Sequence, residues 1–202
     1  MKFCNDERTV WLVRHGESTW NASGLVQGQA DGPVLSAVGR QQAENVADVV
    51  RHLPVDTMVV SDLARARETA AVIGPRLGID WAYDPALRER NFGAAEGTAL
   101  DALRSEWSGI EDGRVVDADA QPPGGESVRE LHERVGGFFR ALTQRTSAGD
   151  VLVVTHGGVI RVALAICDRV PVTRMTWGSV PNASLWSAGL HELCQPVLLP
   201  SS

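Results

Sequence analysis

Cysteine is scarce: three residues, at positions 4, 167 and 194, with no C-x-x-C pair among them. An odd, scattered set excludes a disulfide framework and a cysteine-built zinc site, and fits a reducing compartment. Basic charge is also in deficit. Nineteen Lys and Arg stand against 25 Asp and Glu, for a formal net charge of -6, and the isoelectric point is near 5.4. A general binder of nucleic acid or of anionic membranes has a basic footprint, so neither partner is expected. Any anion must be held by a local cluster of arginines in an acidic background. No apolar run approaches a membrane span. The opening MKFCNDERTV lacks the apolar region of a secretory signal, so the expected location is cytoplasmic. Internal repeats and low-complexity segments are missing. So are the signatures G-x-x-x-x-G-K-[ST], G-x-S-x-G and H-E-x-x-H.

What is present suits one compact unit. The 202 residues are 44% hydrophobic, enough for a substantial core in a single domain. Residues 9 to 13, 57 to 61 and 151 to 155 are short β-branched runs and read as buried strands, with further strands over 79 to 83 and 184 to 187. Ser36 is placed to cap a helix to about His52, with Ala43, Val46, Ala47 and Val50 as its inner stripe. Leu63, Ala66, Ala70, Ile73 and Leu77 mark a second helix that Gly78 can stop. A short helix is expected over 98 to 107. A long one follows on Val128, Leu131, Val135, Phe138 or Phe139 and Leu142, where Gly136 and Gly137 call for a kink or close packing. Another covers about 159 to 167. Residues 108 to 125, rich in Gly, Pro and acids, read as a surface excursion. Strands alternating with helices predict an α/β fold, a three-layer α/β/α sandwich on a mostly parallel central sheet, with ligands at the carboxyl ends of its strands.

Two strands end alike. WLVRHG and VLVVTHGG each deliver a histidine followed by glycine, His15 and His156. A single strand-end histidine reads readily as structural; two that meet at one rim of a parallel sheet suggest a site, and a following glycine lets a backbone N–H approach an anion. Arg14 beside His15 can hold an oxyanion. Arg65 and Arg67 fall in the first turns of a helix, where a cation opposes the helix dipole unless an anion offsets it. Arg65 lies on the strand-facing side, whereas Arg67 reads equally well as a surface residue. Glu89, after Pro85, is either a surface carboxylate or a general acid. His52, His132 and His191 lie in polar stretches and read as bystanders. Neither a metal nor another cofactor is expected.

These residues fall in a longer pattern. RHGESTWN (14 to 21), QGQADGPVLSAVGRQQA (27 to 43), SDLARARETA (61 to 70), LRERNFGAAEG (87 to 97), PGGES (123 to 127) and VVTHGGVIR (153 to 161) together resemble the histidine phosphatase superfamily, the phosphoglycerate mutase-like fold. The resemblance spans nearly the whole chain. It implies that His15 is a nucleophile forming a phosphohistidine. It implies that Arg14, Arg65 and His156 cradle the phosphoryl oxygens with help from Asn21 and backbone N–H groups, and that Glu89 is the proton donor. Gln27, Gly28 and Gly157 join the implied substrate-binding set. Gly16 is expected to clear room for the phosphate. For His15 to attack it must be neutral while a carboxyl is protonated, so either Glu89 is raised or His15 is lowered in pKa, and an acidic to neutral optimum is expected.

HGGVIR resembles the phosphatase branch, whereas mutases of the family typically read HGNS there. The segment 94 to 125, expected to act as a cap, offers only Arg104 and Arg114 to grip a carboxylate. A metal-independent phosphatase acting on a small phosphorylated metabolite is therefore the favoured expectation, with a cofactor-dependent phosphoglycerate mutase as the alternative. A non-catalytic sensor would be expected to have lost the nucleophile or the acid. Trp107, Phe92 and Trp20 are candidate apolar walls. The oligomeric state is left open, with a homodimer one option.

Overall fold

The computed structural model describes residues 8–103, 107–145 and 149–194. Its elements run β1 (Thr9–Arg14), α1 (Thr19–Ala22), α2 (Ala37–Val50), β2 (Val55–Val60), α3 (Ala64–Leu77), β3 (Trp81–Tyr83), β4 (Ile110–Glu111), β5 (Arg114–Val115), α4 (Val128–Arg145), β6 (Asp150–Thr155), α5 (Gly157–Cys167), β7 (Leu185–Gly189) and α6 (Leu190–Leu193). Five strands form one sheet in the order β3-β2-β6-β1-β7, and β4 and β5 form a small hairpin. Only β7 is antiparallel to its neighbour in the large sheet.

Strand alternation builds the two cores. Val10, Leu12, Val151 and Val153 face α4 and α5, packing on Leu131, Val135, Phe139, Ile160 and Ala163. Val13, Met58, Val60, Leu152 and Val154 face the other way, onto Val46, Ala47 and Val50 of α2 and Ala66, Ala70 and Ile73 of α3. Both faces are covered, which is why β6 reads as an unbroken apolar run rather than an alternating one. Each fully buried Val or Leu contributes roughly 1.5–3 kcal/mol. The result is the three-layer sandwich expected. Among the described residues no helix is long and apolar enough to cross a membrane.

Several boundaries depart from expectation. Ser36 does cap α2, accepting from the Gly39 N–H at 3.0 Å. The third strand shrinks to Trp81–Tyr83. The expected helix over 98 to 107 is a single 3₁₀ turn at Leu100–Leu103, and residues 104 to 106 lie outside the described set. Leu100 and Leu103 have the three-residue spacing that a 3₁₀ turn stacks. α4 runs through Gly136 and Gly137 without a break. A Cβ at Gly136 would lie 3.1 Å from Arg140 Nη1 and in ordinary contact, at 3.6 Å, with Ile166 on α5.

Arg90 fastens the segment between β3 and α4. Its side chain is fully buried. Nε donates to Glu126 O at 2.6 Å, Nη1 to Ser108 O at 2.7 Å, and Nη2 to Ala120 O at 2.9 Å and Trp107 O at 3.3 Å. Arg90→Met strips four carbonyls of a charged donor. It is expected to lower the unfolding free energy by about 3 kcal/mol. Urea denaturation measures this, and a loss below about 1 kcal/mol would show that Arg90 is not what holds the segment down.

Candidate active site

β1 and β6 are adjacent, parallel and in register, with Arg14 opposite Thr155. The residues that follow, His15 and His156, therefore leave the sheet side by side. Their rings lie 5.1 Å apart, centroid to centroid, and both are buried. His15 Nδ1 is 2.7 Å from Gly16 O. A carbonyl only accepts, so Nδ1 carries the hydrogen and Nε2 keeps its lone pair. His156 Nε2 is 2.7 Å from the Ser61 hydroxyl, which in turn accepts from the Leu63 N–H at 3.4 Å. With the hydroxyl donating to Nε2, His156 Nδ1 holds a hydrogen.

Arg14 donates from Nη1 to Val180 O. Arg65, wholly buried, donates from Nη1 to Ala30 O at 3.0 Å and from Nη2 to Gly28 O at 2.7 Å. Burial pulls the Arg65 pKa down to about 10, against the pull of Glu89 and Glu96; it stays charged at neutral pH. Burial lowers Arg14 as well. The same burial, with Arg65 and then Arg14 adding repulsion, pushes His15 well below the usual imidazole range. His156 is lowered too, by burial, Arg65, His15 and Arg14. A lowered His15 is one of the two shifts expected, and it favours the neutral nucleophile.

Glu89 faces them from the loop after β3. Its backbone is fixed by Arg134 of α4, which donates to Glu89 O at 3.2 Å and to Ala86 O and Arg88 O at 2.8 Å. Its carboxylate accepts from the Arg90 N–H at 2.8 Å and the Gly158 N–H at 3.0 Å. A Cβ at Gly158 would lie 2.1 Å from Glu89 Oε1, so only glycine admits that carboxylate.

Arg14, His15, Asn21, Gln27, Gly28, Arg65 and Glu89 all border one cavity of about 360 Å³. His156 and Gly157 are not among its walls; His156 is fully buried against His15. Asn21 Oδ1 accepts from Ser18 N and Asn182 Nδ2, and Gln27 Oε1 from the Ser18 hydroxyl at 2.6 Å. Gly28, at φ 49°, presents its carbonyl to Arg65. Other hollows of about 330 and 340 Å³ exist elsewhere on the surface. Converging charges, not size, mark this one.

Other expectations change. Arg67 pairs with Asp31 at 3.5 Å with its side chain 41% exposed, outside the cavity, because a residue two positions from Arg65 points elsewhere on a helix. A Cβ at Gly16 would meet Gly39 O at 2.3 Å, so Gly16 admits the start of α2 rather than a phosphate. Trp20 packs toward Gly97 and Trp107 is 36% exposed; neither borders the cavity. Phe92 does, with Trp177, Leu25, Val26, Leu100 and Leu103. Arg114 is exposed on β5, and Arg104 is outside the described residues. Sequence reasoning missed Ser61, Arg161 and Trp177. Arg161 ends the quoted VVTHGGVIR, and helical spacing from Gly157 was the available signal.

Among the described residues, four buried side-chain nitrogens have no partner: Arg14 Nε, Arg65 Nε, His156 Nδ1 and His132 Nε2. Three of the four belong to the groups gathered around His15. Buried donors are normally satisfied, so their convergence calls for an oxygen-rich anion. Fold and site thus define an α/β protein with arginines and a neutral imidazole gathered at the carboxyl edge of a parallel sheet.

The chain belongs to the histidine phosphatase superfamily, branch 1, whose family model matches residues 10–197. It is 38% identical over 156 residues to the probable phosphoglycerate mutase GpmB of Salmonella choleraesuis, covering 73% of this chain and 69% of that protein. In three dimensions it is similar to a mycobacterial glucosyl-3-phosphoglycerate phosphatase solved with VO3, with a TM-score of 0.79, 31% identity, and 89% and 90% of the two chains covered. It is also similar to a protein of Thermus thermophilus, with a TM-score of 0.68, 33% identity, and 89% and 92% covered.

Proposed function

We propose that the chain is a metal-independent phosphomonoester hydrolase that works through a phosphohistidine on His15. The observation that carries this reading is the trio of unpartnered nitrogens on Arg14, Arg65 and His156 around a neutral imidazole whose Nε2 lone pair is free. In the first step Nε2 attacks phosphorus. The bond from phosphorus to the ester oxygen breaks, and a protonated Glu89 gives its hydrogen to that oxygen. In the second step water attacks the phosphohistidine, Glu89 takes a proton from it, and the P–N bond breaks to release phosphate. Arg14, Arg65 and His156 hold the equatorial oxygens through both displacements. Phosphoryl transfer needs chiefly this kind of positioning and charge stabilisation, and the covalent step divides one barrier in two. The cavity suits a small substrate.

The relative solved with VO3 is a phosphatase, which supports hydrolysis. The relative named as a probable mutase keeps phosphoglycerate interconversion as the competing reading. Phosphate release from p-nitrophenyl phosphate and from a panel of phosphomonoesters, in the presence of EDTA, tests the proposal. No release from any ester contradicts it. Interconversion of 2- and 3-phosphoglycerate that depends on 2,3-bisphosphoglycerate supports the mutase instead.

A pH dependence follows from the lowered imidazoles. In the unfolded chain His15 and His156 take up protons below about pH 6.5; in the fold they do so only at lower pH. The unfolded state thus binds more protons in that window, so stability falls as the pH drops from about 6.5 toward the folded pKa values. The nucleophile stays neutral over the same window. Nitrogen NMR of the His15 ring is expected to show the neutral form at pH 6, and a midpoint near the ordinary imidazole value would contradict the burial argument.

A further inference from the structure

We infer that Arg161 is a specificity-determining residue that binds a carboxylate on the leaving alcohol; this rests on the hydrolase reading. Arg161 sits one turn into α5, and helical side chains point back toward the N-terminus, here toward the cavity it borders. Its Nε is tethered to Gly178 O at 2.6 Å. Its guanidinium carbon lies 5.0 Å from the centre of the Trp177 ring. Tether and ring fix the plane of the guanidinium. No acceptor among the described residues takes Nη1 or Nη2, and Arg161 has no carboxylate within ion-pair distance. A planar fork with both outer nitrogens free matches a carboxylate.

Arg161 is engaged in the opposite sense to the phosphoryl cradle. Arg14 and Arg65 spend outer nitrogens on Val180 O, Ala30 O and Gly28 O and leave Nε unpartnered, whereas Arg161 spends Nε on Gly178 O and leaves its outer nitrogens free. Gly157 lies between the two arginines: a Cβ there would be 3.0 Å from Arg161 Nη1 and 3.7 Å from Arg14 Nε. Charge balance points the same way. Arg14, Arg65 and Arg161 bring three positive charges to the cavity. A phosphoryl dianion offsets two of them, and Glu89 is neutral while it holds the proton to be donated. One positive charge remains, which a carboxylate cancels and a second phosphoryl group would overshoot. The grip that the cap segment does not supply comes instead from the scaffold.

The test compares two esters that differ at one carbon, 3-phosphoglycerate and glycerol 3-phosphate. The wild type is expected to favour the carboxylate ester by about 30-fold in kcat/KM, mostly in KM, as suits a charge-assisted bidentate pair. Arg161→Gln is expected to bring that ratio to within about threefold of one, and Arg161→Lys to restore part of it, since an ammonium keeps the charge but not the fork. A wild-type ratio near one, or a ratio that survives Arg161→Gln, overturns the inference while leaving hydrolysis standing. Equal losses on both esters in Arg161→Gln would assign Arg161 to the phosphoryl group and overturn it too. Failure of the wild type to hydrolyse either ester, or p-nitrophenyl phosphate, overturns the hydrolase reading and this inference with it.

Discussion

His15→Ala is expected to lower kcat on p-nitrophenyl phosphate by about 10⁴-fold or more, leaving phosphate release near the background. The imidazole is the group with a free lone pair at the centre of the donor cluster, and its Nδ1 hydrogen is committed to Gly16 O. Without it the arginines still hold the ester, but no nucleophile lies beside phosphorus. The substitution removes a buried polar ring, so the fold is expected to persist, and thermal melting serves as the control. Vanadate, an oxyanion that the arginines can still hold, is expected to keep binding the variant. Activity within about tenfold of wild type in His15→Ala would reject His15 as the nucleophile.

Arg65→Met is expected to cost about 10³-fold in kcat/KM, in the range measured for a donor aimed at transition-state charge. Two effects combine. The unpartnered Nε is one of the three nitrogens left for the anion. The other two nitrogens hold the carbonyls of Gly28 and Ala30, so the loop bearing Gln27 loosens as well. Arg65→Lys is expected to rescue little, because one ammonium cannot span both carbonyls and the anion. Vanadate inhibition separates the outcomes: it should weaken in Arg65→Met in parallel with catalysis. A variant that keeps wild-type vanadate affinity would place the phosphoryl group elsewhere.

Much of the site was legible because local rules placed it. The apolar runs 9 to 13 and 151 to 155 could only be covered strands, and once they pair in parallel register, His15 and His156 must share a rim. Ser36 and Gly78 marked helix ends through local chemistry. The arginines were harder. Arg65, Arg67, Arg90 and Arg161 carry the same side chain, and nothing nearby in sequence says which is buried. Burial depends on carbonyls brought from afar: Gly28 and Ala30 for Arg65, and four separate residues of the segment 107 to 126 for Arg90. Arg67 finds exposed Asp31 and the nearby carbonyl of Asp62 and stays at the surface. Gly16 was misread for a related reason. A glycine beside a candidate ligand site suggests room for the ligand, yet the space it leaves is filled by the Gly39 carbonyl. Contacts between distant segments decide such positions, and periodicity does not encode them.

Rapid-quench labelling with a ³²P-phosphomonoester tests most directly whether phosphorus passes through His15. The account predicts an acid-labile, base-stable label that appears within the first turnover, maps to the peptide bearing His15 and is lost in His15→Ala. Turnover with no such label, or with label on any other residue, would contradict it.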